Sequence, residues 1–142
     1  MVNLCIRIAG LAGLALFSTA AMSPGGKAPA APNMAALRGL EKGQWELRER
    51  GTRRSETPRQ RICVGDPAQL LHVQHKNGGC SRFVVSDTPN HAVVTYQCSD
   101  SGNGRTDLRV ETPRLVQIDA QGISHGAPFA LSLEARRTGD CP

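Results

Sequence analysis

Residues 82–98 read RFVVSDTPNHAVVTYQC, and this stretch decides the fold class. Two segments rich in Val, Thr and aromatic residues, 82–86 and 91–98, flank the sequence DTPN at 87–90. β-branched and aromatic residues favour strands, and Pro and Asn between two such runs favour a turn. The stretch therefore predicts two antiparallel strands joined by a hairpin.

The alternation of apolar and polar residues recurs in the rest of the chain. In residues 44–50, Trp45 and Leu47 fall on one face, and Glu46 and Arg48 fall on the other. We predict seven strands in total, at residues 44–50, 58–64, 82–86, 91–98, 105–111, 114–119 and 129–135. Such alternation is typical of antiparallel sheets with one buried face. The predicted fold is mainly β, an antiparallel meander curling into a sandwich or a partly closed barrel.

Breaker residues lie between the predicted strands. The sequence GNG at 102–104 predicts a turn, and GISHG at 122–126 predicts another before the last strand. Asp66 can cap a helix, and Pro67 suits the first helical position. We therefore predict one short helix near residues 66–75.

The first 21 residues are typical of a signal peptide. Arg7 supplies the positive charge, residues 8–17 are uninterrupted apolar residues, and small residues follow, so cleavage is expected after Ala20 or Ala21. The apolar stretch is shorter than the roughly 20 residues of a membrane-spanning helix, so no stable transmembrane anchor is expected after cleavage. The alternative is an uncleaved membrane tether. The mature protein is expected to be periplasmic or secreted.

Residues 22–39 are rich in Pro, Ala and Gly and show no apolar periodicity, which predicts a flexible spacer. The folded domain is then expected to occupy residues 40–142. The chain has 142 residues, of which 39% are hydrophobic and 4% aromatic, and its net charge is +5. This composition excludes a multidomain enzyme, a polytopic membrane protein and a coiled coil. A domain of this size has only a marginal hydrophobic core.

Cysteine usage predicts covalent support for that core. The mature chain contains Cys63, Cys80, Cys98 and Cys141. An even number of cysteines in a small exported domain predicts two disulfides. Four cysteines allow three connectivities, and proximity in sequence favours Cys63–Cys80 with Cys98–Cys141. The alternative is a zinc ion bound by four thiolates, but such sites use close pairs such as CxxC, which the chain lacks.

A cluster of six arginines is the candidate anion-contact surface: Arg48, Arg50, Arg53, Arg54, Arg59 and Arg61. If 44–50 and 58–64 form a hairpin, several of these arginines share one face. Guanidinium groups bind phosphate and carboxylate in bidentate fashion. Glu46, Glu49 and Glu56 are interspersed, so the alternative is a solvated hairpin of mixed charge.

Other site chemistry has little support in the sequence. His72 and His75 are spaced like neighbours on a helix face, but no carboxylate completes a metal site, so both are expected on the surface. There is no GxSxG motif and no glycine-rich phosphate loop after a strand. We therefore assign no catalytic, cofactor-binding or metal residue and predict that the chain is not an enzyme. A small enzyme with a carboxylate- or histidine-based site remains an alternative.

Nucleic-acid binding is not expected either. Single-stranded nucleic acids are bound by aromatic side chains on which bases stack. The aromatic residues beyond the predicted signal peptide all fall in strand patterns and are expected in the core: Trp45, Phe83, Tyr96 and Phe129.

Several motifs taken together resemble a known family. Gly43-x-Trp45 opens the predicted domain, the cysteines at 63, 80 and 98 are widely spaced, and the chain closes with Arg136-Arg137-x-Gly139-x-Cys141. This pattern resembles the bacterial exported family catalogued as domain of unknown function 3617, over about residues 40–142. The resemblance implies a small periplasmic protein of Gram-negative bacteria, and it implies no catalytic residues.

The leading functional hypothesis is a non-enzymatic binding or interaction module without a cofactor. Its partner would be an anionic envelope component or another periplasmic protein, contacted by the arginine hairpin or by the concave face of the sheet. The second hypothesis is an inhibitor of a wall-degrading or proteolytic enzyme, in which residues 122–126 or 101–104 form a rigid loop that plugs the active site. The sequence leaves the ligand and the oligomeric state open.

Overall fold

The computed structural model describes residues 33–51, 59–75, 79–99 and 101–142. Most of these residues belong to strands, which are β1 (Gly43–Glu49), β2 (Gln60–Val64), β3 (Cys80–Thr88), β4 (His91–Cys98), β5 (Gly102–Thr112), β6 (Leu115–Ser124) and β7 (Ala127–Gly139). Two short 3₁₀ helices, Ala35–Leu37 and Pro67–Leu71, complete the described elements. The prediction of a mainly β fold with seven strands is confirmed.

The strands form one antiparallel sheet in the order β2-β1-β7-β6-β5-β4-β3. Strands β3 to β7 follow one another as a meander, whereas β1 lies between β2 and β7. The first described strand is therefore inside the sheet, next to the last one. β2 and β3 are the edges of the sheet and do not pair with each other, so the sheet is not closed into a barrel.

One face of the sheet is buried and carries the core. Trp45 and Leu47 of β1 point to this face, as their alternation predicts, and the two 3₁₀ helices add Ala36 and Leu70 to the same cluster. The indole Nε1 of Trp45 also donates a hydrogen bond to the carbonyl oxygen of Glu41, at 3.0 Å. The opposite face, which we call the outer face, carries most of the charged side chains.

The domain begins before residue 40. Met34 and Ala36 are buried in the core, and the Asp87 carboxylate of β3 accepts hydrogen bonds from the backbone amides of Ala35 and Ala36, at 2.7 and 3.0 Å. Residues 33–39 therefore belong to the folded domain and not to a spacer, because their few apolar side chains have a place in the core. The rest of the predicted spacer and the predicted signal peptide lie outside the described residues.

The predicted helix is shorter than expected. Only Pro67–Leu71 is helical, as a 3₁₀ helix whose first turn is closed by side chains: Asp66 accepts from the amide of Ala68 at 2.9 Å, and Gln69 accepts from the amide of Asp66 at 3.2 Å. Leu70 and Leu71 are fully buried. The capping residues were predicted correctly, and the predicted extension to residue 75 was wrong.

Two disulfides are present, as predicted, but the favoured pairing was wrong. The observed pairs are Cys63–Cys141 and Cys80–Cys98. Cys80 and Cys98 are direct partners across β3 and β4. Gln44 of β1 pairs with Cys63 on one side and with Gly139 on the other, so Cys141 lies within reach of Cys63. Sequence proximity misassigned Cys63 because β2, which carries it, and β3, which carries Cys80, are opposite edges of the sheet.

The predicted glycine turns are mostly strand. Residues 102–104 lie in β5 and residues 122–124 in β6. A side chain on Gly122 would collide with the carbonyl oxygen of Asn103, and one on Gly104 would collide with the Tyr96 hydroxyl group. These two glycines therefore serve close packing. The true turn before β7 is His125-Gly126, where both residues have positive φ (49° and 80°), as a type I′ hairpin requires.

Candidate binding surface

Side chains on the outer face are aligned in rows that run across the strands. Because antiparallel partners point to the same face, the backbone register fixes which side chains are neighbours. Arg61, Glu46 and Arg136 form one row across β2, β1 and β7. Glu134 is the cross-strand partner of Arg48 in the next row. Opposite charges therefore alternate along β1 and β7.

Three arginines contact one buried carboxylate, Glu46, and a fourth is its cross-strand neighbour. We call this group the arginine face: Arg48, Arg59, Arg61 and Arg136, with Glu46. The Glu46 carboxylate lies 2.5 Å from Nη2 of Arg48, 3.7 Å from Nε of Arg61 and 4.0 Å from Nε of Arg59. Arg136 pairs instead with Glu134, at 3.5 Å. The hairpin of β1 and β2 thus brings the arginines of both strands together.

Electrostatics keep Glu46 ionised although it is buried. The hydrogen bond from Arg48 lowers the pKa of the Glu46 carboxyl group below its usual value, and the charges of Arg48, Arg59 and Arg61 lower it further. Burial alone would raise the pKa, so the guanidinium groups outweigh desolvation. Glu46 therefore holds the arginines in place as a permanent negative charge at neutral pH.

Most of the hydrogen-bonding capacity of this surface remains accessible to solvent. The side chains of Arg59, Arg61 and Arg136 are 52%, 64% and 60% exposed. Each guanidinium group has five N–H donors, and a single carboxylate contact uses one or two of them. The arginine face can therefore bind a phosphate or a second carboxylate without giving up its contact with Glu46 or Glu134.

The predicted anion-contact residues have different fates in the structure. Arg48, Arg59 and Arg61 come together, whereas Arg50 pairs with Asp119 of β6. Arg53 and Arg54 lie outside the described residues. Sequence reasoning missed Arg136, because nothing in the sequence indicates that β7 lies beside β1.

A second carboxylate of the outer face, Asp119, is also held ionised. The hydrogen bond from the Ser132 hydroxyl group (2.6 Å) lowers its pKa most, and the hydrogen bond and charge of Arg50 lower it further. Asp107, its cross-strand partner on β5, pairs with His91 at 2.8 Å. Two aspartates that face each other thus each have a hydrogen-bonding neighbour.

Among the residues that the structure describes, no three His, Cys, Asp or Glu side chains are grouped so that they could hold a metal ion. In the same residues, no helix has the length and apolar character needed to cross a membrane. No family model, curated protein or solved structure matches this chain. The resemblance to domain of unknown function 3617 therefore stays a prediction.

His75 is a core residue, and its predicted surface position was wrong. It is 2% exposed, and its Nε2 lies 3.1 Å from the carbonyl oxygens of both Ser101 and Ile123. Carbonyl oxygens only accept, so Nε2 carries the hydrogen, and in the neutral ring Nδ1 accepts from the Tyr96 hydroxyl group at 3.2 Å. His75 thus connects the ends of β5 and β6 to the core.

The expected core position of Phe83 was also wrong. Trp45 and Tyr96 are buried and Phe129 is partly buried, but Phe83 is 70% exposed. Phe83 lies on edge strand β3 and follows the parity of the outer face, where it is the cross-strand partner of Thr95. The strand pattern predicted alternation correctly but could not tell which face of β3 would be covered.

Acid should weaken the domain partly through Glu46. Because its pKa is lowered in the folded state, the ionised form stabilises the fold above about pH 4.5, and this contribution is lost as the pH falls through the folded-state value. We expect Glu46→Gln to be less stable than the wild type at pH 7, and the gap in the free energy of unfolding should be smaller at pH 3, as measured by urea unfolding. When Arg48→Gln is also present, the loss of free energy of unfolding caused by Glu46→Gln should differ less between the two pH values. A stability gap that is constant between the two pH values would contradict this role of Glu46.

Proposed function

We propose that this protein is an exported, non-enzymatic binding module of the bacterial periplasm that contacts an anionic component of the cell envelope through the arginine face. The two disulfides support export, because disulfides persist mainly in oxidising compartments. The observation that carries the binding role is the cluster itself, in which two well-exposed arginines pair with Glu46 and a third pairs with the neighbouring Glu134.

The chemistry of the surface favours the phosphate groups of anionic lipids. The arginines lie on three adjacent strands or, for Arg59, directly before one of them. Because neighbouring strands are spaced by about 4.8 Å, the arginines form a broad and shallow cationic area and not a closed pocket. Such an area suits several phosphates presented by a flat surface. Surface electrostatics of this kind contribute about 1 kcal/mol for each basic residue near an anionic membrane.

Vesicle co-sedimentation tests the proposal directly. We expect the protein to bind vesicles of phosphatidylglycerol and phosphatidylcholine at about 0.01 M salt and to be released at about 0.15 M salt, as the Debye length shortens from about 30 to 8 Å. Vesicles of phosphatidylcholine alone should not bind it. The double variant Arg61→Gln/Arg136→Gln should bind the mixed vesicles at least about tenfold more weakly, because two exposed cations are lost.

Two further variants separate the arginine face from net charge. Arg109→Gln removes an exposed arginine of β5 on the same side of the sheet, and it should change vesicle binding little. Glu46→Gln should bind more tightly than the wild type, because the surrounding guanidinium groups lose their internal anion. The proposal would be refuted if vesicle binding did not depend on the salt concentration. It would also be refuted if Arg109→Gln and Arg61→Gln weakened vesicle binding equally.

The two segments named in the inhibitor hypothesis are mostly strand. Residues 102–104 and 122–124, which were to form inhibitory loops, are paired within β5 and β6. The remaining turn, His125-Gly126, has only two residues. These segments therefore carry no argument for a loop that enters a foreign active site.

A further inference from the structure

A groove of about 800 Å³ lies against β3, β4, β5 and β6, and most of its lining side chains belong to the outer face. It is distinct from the arginine face. On β7, Ala130 is the cross-strand partner of Gln121 in the groove, and Arg136 is the partner of Glu46. These two positions are six residues apart, so the two sites are separated by about 20 Å along the strand. The groove is therefore a separate candidate site, and an inference from it does not depend on the proposed lipid contact.

Two neighbouring rows of side chains form the floor of the groove. The first runs across four strands and contains an aromatic ring, a hydroxyl group, a cation and an amide: Phe83, Thr95, Arg105 and Gln121. The second contains a hydroxyl group, two amides and an apolar side chain: Ser81, Gln97, Asn103 and Ile123. The groove thus combines many neutral hydrogen-bonding groups with two cations, Arg105 on this floor and Arg82 elsewhere in the lining.

Arg105 is the exposed cation of this floor. It forms no ion pair with any residue that the structure describes. The nearby carboxylates are already engaged, since Asp107 pairs with His91 and Asp119 with Arg50 and Ser132. A smaller cavity of about 370 Å³ shares Arg105 and Gln121 with the groove, and Glu49, Asp107 and Asp119 also line it. The guanidinium group of Arg105 therefore keeps its N–H donors for an anionic ligand, in a neighbourhood that also contains the carboxylates of Glu49, Asp107 and Asp119.

Phe83 and Ile123 supply apolar surface at the same site. Their side chains are 70% and 38% exposed. The amides lie beside them, and the Gln97 amide nitrogen is fixed by a hydrogen bond to the carbonyl oxygen of Gly102, at 3.1 Å. An exposed aromatic ring next to oriented amides suits a ligand that has an apolar face and several hydroxyl groups, which is the chemistry of a sugar ring.

We propose that this groove binds an acidic oligosaccharide. One sugar ring lies against Phe83, and a carboxylate of the neighbouring sugar pairs with Arg105, which is two strand spacings (about 10 Å) away. Gln97, Asn103 and Gln121 bind hydroxyl groups. The guanidinium group of Arg105 argues for an acidic sugar over a neutral one, because a bidentate contact with carboxylate is the strongest interaction that this floor offers.

Titration with digalacturonate, followed by NMR and calorimetry, tests this assignment. We expect digalacturonate to shift the amide resonances of β3 to β6 and to bind at least about tenfold more tightly than its methyl ester, which lacks the charge. Arg105→Gln and Phe83→Ala should each weaken binding of digalacturonate by about tenfold or more. Arg109→Gln, which removes an exposed arginine from the same strand, should leave it unchanged.

Three results would overturn the assignment. Equal losses in Arg105→Gln and Arg109→Gln would mean that the acid is attracted only by net charge. Equal affinity for the acid and its ester would remove the role of Arg105. Self-association in sedimentation equilibrium that Phe83→Ala abolishes would assign Phe83 to contact with a second copy of the chain. Vesicle binding is expected to depend on Arg61 and Arg136, whereas digalacturonate binding is expected to depend on Arg105 and Phe83. The vesicle experiment and the titration can therefore fail independently of each other.

Discussion

Removal of the disulfide between Cys63 and Cys141 should lower the free energy of unfolding by about 4.5 kcal/mol, the larger effect of the two cross-links. The cysteines are 78 residues apart, and in the chain-entropy model a cross-link restricts the unfolded chain more when it closes a longer loop. The test is urea unfolding of the double variant Cys63→Ser/Cys141→Ser, followed by circular dichroism. Domains have about 5–15 kcal/mol of stability in total, so this variant should be close to unfolding at 37 °C.

The matched control is Cys80→Ser/Cys98→Ser. These cysteines are only 18 residues apart, and the same model gives a loss of about 3 kcal/mol. The two double variants remove the same atoms, so the difference between them reports loop length and local packing. A larger loss for the Cys80 and Cys98 variant would contradict the entropic explanation and would point to packing around Cys98, which is buried.

Trp45→Ala should cost about 3–5 kcal/mol, as large aromatic residues in a core do. Trp45 is fully buried in the cluster that joins β1 to the two 3₁₀ helices, and its indole also bonds to the Glu41 carbonyl oxygen. Its removal leaves a cavity and one unpaired acceptor. Since Trp45 is the single tryptophan of the chain, unfolding must be followed by circular dichroism and not by tryptophan fluorescence.

Two variants calibrate this result. Trp45→Phe keeps most of the aromatic packing and loses the indole hydrogen bond, so its loss should be clearly smaller. Phe83→Ala removes an aromatic side chain that is mostly exposed, and it should change stability by no more than about 0.5 kcal/mol. If Trp45→Ala were no more damaging than Phe83→Ala, the assignment of the core face of β1 would be wrong.

The strands could be predicted because their alternation is local. Residues 91–98 match β4 without any difference in bounds, and the other six predicted strands overlap the observed ones. Alternation along a strand depends only on the pleat, so neither partner strands nor long-range contacts are needed to recognise it. The capping of the second 3₁₀ helix by Asp66 was predictable for the same reason.

Strand order could not be predicted, and the errors follow from that. The pairing of β1 with β7 decides the partner of Cys63 and places Arg136 beside Glu46. No local sequence pattern indicates that these two strands are neighbours. The glycines of β5 and β6 were mistaken for turns because a glycine required for close strand packing looks the same in sequence as one required for a bend. His75 appeared polar and exposed, but its two ring nitrogens both find partners in the interior.

The opening and closing motifs of the family resemblance meet at one place in the structure. Gly43 of the opening motif has φ of +137°, and a side chain there would collide with the carbonyl oxygen of Gly139 from the closing motif. Arg137 donates from Nε to the Lys42 carbonyl oxygen at 2.7 Å and pairs with Asp140 at 2.5 Å. The two motifs are therefore two sides of the contact between β1 and β7.

The contact between β1 and β7 also sets the order of oxidative folding. A polypeptide that emerges from a ribosome or an export channel with its N-terminus first presents Cys63 long before Cys141. During this interval Cys80 and Cys98 can close their hairpin, whereas any bond made by Cys63 is non-native. An oxidant that acts before β7 is present would join Cys63 to the wrong cysteine. The native disulfide of Cys63 therefore has to form last, or has to arise by isomerisation of a non-native disulfide.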